Sequence, residues 1–307
     1  MTSIEWTEQT WNPTTGCDRI SPGCDNCYAL TMAKRLKGMG QAKYQNDGDP
    51  RTSGPGFALT GHPDVITDPL RWKKPRRVFV NSMSDLFHAR VTTDLITQVW
   101  RTMQATPQHT YQILTKRASR LAPVLAKVHT ELGLTQPLPN VWLGTSVETQ
   151  KYADLRIPAL LEAPAAVRFL SCEPLLGPVD LCMPVDHSTH ERDHTDGMPW
   201  PQCLDCSTEG VTVDWTIPDG PRIDWVIVGG ESGPGARPMD TAWVGGLVKQ
   251  CRDAGTAVFV KQLGSVWARD MIVAGKTVAA HGDTKGGNPD YWPAHLRVRE
   301  YPQVLAL

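Results

Sequence analysis

With 307 residues and 40% hydrophobic composition, the chain can build a sizeable core, as one large α/β domain or two small ones. A formal net charge of −1 argues against a broad basic surface for duplex nucleic acid. Met1 to Gln9 is polar and there is no run of about 18 apolar residues, so neither export nor a membrane partner is expected. The expected setting is cytoplasmic, where eight cysteines serve as ligands or buried thiols more readily than as disulfides.

The first predicted element is a short strand within Ile4 to Trp11. It leads to Cys17, Cys24 and Cys27, three thiols on a loop punctuated by Gly16, Pro22 and Gly23. Structural zinc is closed by four protein ligands, whereas a [4Fe-4S] cubane held by three thiolates leaves one iron open for another molecule. The competing arrangement is a Cys3His zinc site with His62 or His88 as fourth ligand. After Cys27, the spacing of Ala29, Leu30, Ala33 and Leu36 predicts a helix ended by Gly38 and Gly40. Between Arg71 and Arg77, five positive charges surround Trp72, a mixture that tracks phosphates and stacks a base when free, and is a solvated loop otherwise.

Six further segments share one grammar, apolar at the start and polar at the end: Val78 to Asp85, Tyr111 to Arg117, Val141 to Glu148, Val167 to Glu173, Trp225 to Glu231 and Ala257 to Gln262. Short apolar runs suit strands buried on both faces. Helical periods lie between them: Val91, Leu95, Ile96, Val99, Trp100 and Met103; then Leu121, Val124, Leu125 and Val128; then Trp243 to Cys251, stopped by Gly255. Alternating strands and helices predict a parallel α/β sheet, either doubly wound or a (βα) barrel, complete or partial. Seven strands favour a partial TIM-like barrel with the cysteine loop after the first strand. Its C-terminal strand edges would then gather Asp85, Lys116, Glu148, Glu173, Glu231 and Lys261.

The connection from Leu170 to Ile227 is about 25 residues longer than its neighbours, beyond what a crossover needs. This insertion, residues 182–220, holds Cys182, His187, His190, His194, Cys203 and Cys206, a candidate second metal site suited to zinc or a second cluster. The expected organisation is a barrel over residues 1–264, interrupted by that Cys/His-rich loop, and a C-terminal extension over 265–307 that covers the barrel and brings Arg297 and Arg299 toward an anionic substrate.

Trp11-Asn-Pro-Thr-Thr-Gly-Cys17, Cys24-Asp-Asn-Cys27, Asn81-Ser-Met-Ser-Asp-Leu-Phe-His88, Leu114-Thr-Lys-Arg117, Gly144-Thr-Ser-Val-Glu148, Ser171-Cys-Glu-Pro-Leu175, Gly229-Gly-Glu-Ser-Gly-Pro-Gly-Ala-Arg-Pro238 and Lys285-Gly-Gly-Asn288 together resemble a phage-associated family of unassigned function with a three-cysteine motif. Through that motif the chain also resembles radical S-adenosylmethionine (SAM) enzymes. This resemblance implies a partial barrel of the radical SAM type and a [4Fe-4S] cluster on Cys17, Cys24 and Cys27. The cluster would chelate SAM and cleave it reductively to a 5′-deoxyadenosyl radical that takes hydrogen from a substrate, with flavodoxin or ferredoxin as reductant.

It further implies Tyr28 near the adenine, and Asn81, Ser82, Ser84 and Asp85 at the SAM ammonium. Lys116 and Arg117 would meet its carboxylate, and Ser146 with Glu148 or Glu173 its ribose. Gly229, Gly230 and Glu231 would shape the substrate side or the adenine end. Cys172 as hydrogen-atom donor, Glu173 and Lys261 complete the candidate catalytic set. The spacing departs from the usual motif, with six residues between Cys17 and Cys24 and Asn26 before Cys27. Candidate substrates are a nucleotide, a modified DNA base or a small metabolite, phage association favouring DNA hypermodification. The competing function is a non-catalytic, zinc-stabilised nucleic-acid-binding module using Arg71 to Arg77.

Overall fold

The structure, a computed structural model, describes residues 4–181 and 222–303. Among these, seven parallel strands form one sheet: β1 (Gln9–Trp11), β2 (Arg77–Val80), β3 (Thr110–Thr115), β4 (Val141–Ser146), β5 (Val167–Cys172), β6 (Trp225–Gly229) and β7 (Ala257–Gln262). Their spatial order is their chain order. A doubly wound sheet reverses direction at a switch point, and this one never does. The sheet curls into a half-barrel flanked by helices, compatible with a partial TIM-like barrel.

Strand side chains alternate between two cores. Val78, Val80, Ile113, Leu143, Leu170 and Val228 face the helices and join the main core. On the concave side, Phe79, Trp142, Phe169, Trp225 and Phe259 pack with Trp6 into a separate aromatic plug. Trp6 and Phe79 meet edge to face with ring centroids 4.7 Å apart, and Trp225 stands 6.0 Å from Trp142. The plug fills the N-terminal end of the half-barrel, so the polar strand ends are left at the other mouth.

The helices are α1 (Tyr28–Gly38), α2 (Thr93–Gln104), α3 (Leu121–Leu132), α4 (Gln150–Leu161), α5 (Thr241–Asp253) and the short α6 (Ser265–Asp270). Thr92 caps α2 by accepting from the Leu95 amide, so Val91, counted in the predicted helical stripe, lies just outside the helix. Helix α4 buries Arg156 beside Ala153, Ile157 and Leu160 and carries Pro158 inside it, which breaks the apolar stripe a sequence reading relies on. Among the described residues no helix is long and apolar enough to cross a membrane.

Residues 265–303 share the barrel's core, with Trp292, Leu296 and Val298 buried in it. The Val260 amide donates to Val298 O at 2.9 Å and the Glu300 amide to Val258 O at 2.9 Å, so this segment covers the free edge of β7. Arg299 donates to the carbonyls of Val260, Lys261 and Gly287, and Arg297 to those of Trp292 and Asp290. Both guanidiniums therefore tie backbone segments together.

The basic run lies at the start of β2, at the end of the strands opposite the cysteine loop. Arg71 pairs with Asp68, Arg76 donates to Gln9, and Arg77 lies 4.4 Å from the Tyr301 ring centroid. Trp72 packs edge-on against His109. Most of this run is thus engaged within the fold.

Candidate functional site

The chain leaving β1 runs beside the chain leaving β2, and the two are stitched together. The Met83 amide donates to Asn12 Oδ1, the Gly16 amide to Met83 O, and Ser84 Oγ to Gly16 O at 2.6 Å. Asn81, at a positive φ of 62°, donates from Nδ2 to Thr14 Oγ1, and Ser82 Oγ donates to Asn12 Oδ1. Gly16 also has φ of 85°, and a Cβ there would collide with the Ala58 carbonyl. Asn81, Ser82 and Ser84 thus come beside the cysteine loop, where their side chains build this seam.

Beyond the seam, Ser21 to Cys27 crosses the barrel mouth and Cys27 becomes the residue preceding the first turn of α1. Ala29, Ala33, Phe57 and Met83 form an apolar wall against which Cys17 and Cys27 pack. Burial pushes the Cys17 thiol up to about 12, helped by Asp85 and opposed by Arg117. Burial likewise raises Cys27, against the pull of the Ala29 amide and the Lys116 charge. The nearby Cys24 also raises both of them. Tyr28 is half-exposed at the rim with its hydroxyl donating to Ser82 O.

Two carboxylates fasten this loop from the strand ends. Glu148, fully buried, accepts from Ser21 Oγ at 2.8 Å, Lys116 Nζ at 3.1 Å and Arg156 Nη1 at 2.8 Å. Burial pushes its carboxyl up, yet the Lys116 and Arg156 charges more than offset this and hold it below its ordinary value. A side chain at Gly23 would strike Glu148, which explains the glycine there. On the other side Glu231 accepts from Asn26 Nδ2 at 2.9 Å and, bidentately, from Arg237 Nε and Nη2 at 2.9 and 2.6 Å. Arg237 goes on to Pro22 O at 3.0 Å. Both carboxylates therefore anchor the loop.

Burial raises the Glu231 carboxyl, and the hydrogen bonds from Arg237 and Asn26 bring it below its ordinary value. A depressed folded value stabilises the fold above the unfolded pKa, near 4.3, and that stabilisation is lost as pH falls through the folded value. Glu231→Gln is accordingly expected to melt below the wild type at pH 7 and to converge with it in a series of thermal melts as pH falls through the depressed folded value.

Asp85 is a third hub. It accepts from Thr115 Oγ1 at 2.7 Å, the Phe87 and Lys116 amides, and Arg117 Nη1 at 2.8 Å. With its oxygens so occupied it aims Arg117, whose Nη1 also lies 3.4 Å from Cys17 Sγ and whose Nη2 donates to Asp18 O at 3.0 Å. Arg117 thus serves the sulfur and not a free carboxylate site. Lys116 spends two ammonium protons on Ser146 Oγ and Glu148.

Glu173 and Lys261 lie on the concave side, in step with Phe169 and Phe259, and pair at 2.7 Å. Burial lowers the Lys261 ammonium, and Glu173 more than offsets this, leaving it above its ordinary value. A register shift between Val228 and Gly229 brings Gln262 round as well, its Nε2 3.2 Å from Glu173 Oε1. Gly229 presents no side chain beneath Glu173, and a Cβ there would touch it. Gly230, by contrast, lies close under the Leu263 carbonyl and packs the β6–β7 ends together. Cys172 is on the opposite face, fully buried in the helix-side core, where burial and then Cys251 push its thiol up. The structure does not bring Cys172 into the site.

Among the described residues no three His, Cys, Asp or Glu side chains surround a single ion position. His62 Nε2 is 2.8 Å from Thr15 Oγ1 and His88 Nε2 is 2.9 Å from Asp18 Oδ2, so both histidines are otherwise engaged. A cubane spreads its thiolates over separate iron corners, whereas zinc draws four ligands onto one tetrahedron. Here Cys17 and Cys27 pack on one apolar wall, Cys24 is coupled electrostatically to both, and a guanidinium lies at the Cys17 sulfur. The second candidate set, Cys182, His187, His190, His194, Cys203 and Cys206, lies outside the described residues.

Several residues of this site were not singled out from sequence: Asn12, Asp18, Ser21, Asn26, Arg156 and Arg237. The Gly-Pro-Gly turn after Glu231 was the available signal for Arg237, since it folds the chain back on that carboxylate. With this geometry in hand, comparison with known proteins gives one match: residues 1–291 fit the family described as a protein of unknown function (DUF5131). The chain belongs to that family. No curated protein and no solved structure matches it. The family spans the barrel, the cysteine loop and most of the C-terminal extension, so the site described above lies wholly within it.

Proposed function

We propose that this protein is a radical SAM enzyme, its half-barrel of the radical SAM type, acting in the cytoplasm with a flavodoxin- or ferredoxin-like reductant. The observation that carries the reading is the position of Cys17, Cys24 and Cys27: one loop, directly after the first strand, across the C-terminal mouth of a parallel half-barrel. When bound, a [4Fe-4S] cluster and SAM supply a 5′-deoxyadenosyl radical by reductive cleavage, and that radical takes a hydrogen atom from the substrate.

The chain's own residues do the holding. Glu148 and Glu231 fix the loop before any metal arrives, and Arg117, aimed by Asp85, places a positive charge against Cys17. The wall of Ala29, Ala33, Phe57 and Met83 keeps water from the thiols. Lys116 offers its remaining ammonium proton to an anionic group of the cofactor, and Glu173 with Lys261 faces the substrate side. The loop anchoring explains how a motif with longer spacing between its first two cysteines still keeps one geometry.

The test is product formation. Anaerobically reconstituted protein, reduced with dithionite and given SAM, is expected to yield 5′-deoxyadenosine and methionine by liquid chromatography, even without substrate. A brown, iron-loaded protein that leaves SAM intact under reduction would refute the assignment. The nucleic-acid-binding alternative finds less support, because its basic run lies at the far end of the barrel and is largely paired.

A further inference from the structure

The three thiols of the loop do not receive the same hydrogen bonds. Cys27 stands just before the first turn of α1, where the Ala29 and Leu30 amides bond its sulfur. Ser21 Oγ lies 3.8 Å from Cys24 Sγ, but the hydroxyl proton goes to Glu148 at 2.8 Å. Among the described residues, Cys17 is the thiol with a charged hydrogen-bond donor on its sulfur: Arg117 Nη1, 3.4 Å from Sγ.

That nitrogen carries two N–H groups. One goes to Asp85 Oδ2 at 2.8 Å, which leaves the other for the sulfur. Nη2 donates to Asp18 O at 3.0 Å, so the guanidinium fork holds both the Cys17 sulfur and the carbonyl of the next residue. The Arg117 side chain is 11% exposed and that of Asp85 7%, so water and salt screen neither. The two charges pull the Cys17 thiol in opposite directions and cancel as a pair. What the pair delivers to the sulfur is therefore a directed N–H more than a net charge.

Reduction adds an electron to a cluster and makes its thiolate ligands more negative. A fixed donor at a ligand sulfur then stabilises the reduced state more than the oxidised one, which is why cluster potentials follow the hydrogen bonds to their sulfurs. We propose that Arg117 is a positioning residue that raises the reduction potential of the cluster through its N–H to Cys17 Sγ. Asp85 holds the guanidinium in place and neutralises it. Reductive cleavage of SAM begins with one electron entering the cluster, and Arg117 brings that step within reach of a weaker reductant. This role rests on the radical SAM reading and adds to it a control over the electron supply.

Redox titration followed by electron paramagnetic resonance, on anaerobically reconstituted full-length protein without SAM, reads the potential directly. Arg117→Met is expected to lower it by about 59 mV or more, a tenfold shift in a one-electron equilibrium. That variant also strands the Asp85 carboxylate, whose charge lowers the potential by itself. Combining Arg117→Met with Asp85→Asn removes the pair without changing the net charge, and the potential is expected to stay below wild type, by less than in the single variant. Arg90→Met deletes a guanidinium that is 60% exposed and pairs with Asp18 at 2.9 Å. It is expected to leave the potential at the wild-type value, because exposed charge is screened. Thermal melts and iron content confirm fold and loading, and the double variant carries the test if the stranded carboxylate keeps the single one from folding.

A wild-type potential in Arg117→Met or in the double variant would overturn the proposal, and so would an equal fall in Arg90→Met. Formation of 5′-deoxyadenosine is measured on the same preparations. Wild-type protein that leaves SAM intact while its potential follows Arg117 would sink only the radical reading. SAM cleavage by protein whose potential ignores Arg117 would sink this proposal alone, and wild-type protein that takes up no cluster would overturn both.

Discussion

Replacing Cys17, Cys24 and Cys27 together with alanine is expected to give a folded, colourless protein whose iron content and 5′-deoxyadenosine formation both fall to background. The fold should survive because Cys17 and Cys27 pack on a small satellite cluster of Ala29, Ala33, Phe57 and Met83, apart from the main core and the aromatic plug, and Cys24 belongs to none of these clusters. The loop itself is fastened by Ser21, Asn26 and Arg237, none of which is changed. Circular dichroism and melting temperature should therefore stay close to wild type while colour is lost. Retained iron at wild-type stoichiometry, or retained SAM cleavage, would reject these three as the ligands. Unfolding of the variant would instead show that the loop's order depends on the thiols and not on its carboxylate anchors.

The largest loss of stability is expected from Glu148→Ala. This carboxylate is fully buried between two cations and a hydroxyl, and its removal leaves Lys116 and Arg156 facing each other without compensation. Breaking a buried pair by deleting one partner costs about 3–5 kcal/mol, because a desolvated charge is stranded. In a chain of this size that corresponds to a fall of roughly 10 °C in melting temperature. The same variant frees Ser21, so the Ser21 to Cys27 segment should also become more susceptible to proteolysis. Glu148→Gln keeps the hydrogen-bonding shape without the charge and should fall between the two. A Glu148→Ala protein with wild-type melting and wild-type proteolytic resistance would show that the loop is held by something else.

Much of the architecture was legible because apolar-to-polar runs such as Val141 to Glu148 have few physical solutions: a buried parallel strand whose polar end reaches a sheet edge. Chain-order pairing then followed from the regular spacing of strand and helix. Helix α4 was harder, because the residue it buries most usefully is Arg156, which an apolar count reads as surface. Strand ends were correctly expected to gather charge, yet what each charge does depends on partners from other elements. Glu148 meets Arg156 from the next helix and Ser21 from the cysteine loop. Asp85 meets Arg117 from the next strand end, and Glu231 meets Asn26 from 205 residues away. No local pattern announces such meetings. For Cys172 a signal did exist: it alternates with Glu173, so if one faces the mouth the other must face the helices.

The central claim is that the three thiols hold an iron cube with one corner left to SAM. Electron paramagnetic resonance of the anaerobically purified, dithionite-reduced protein, recorded before and after adding SAM, tests it most directly. The account predicts a reduced [4Fe-4S] signal that changes shape on SAM addition and disappears in the triple alanine variant. A silent spectrum from protein carrying one equivalent of zinc at the loop, or an iron-sulfur signal indifferent to SAM, would contradict it.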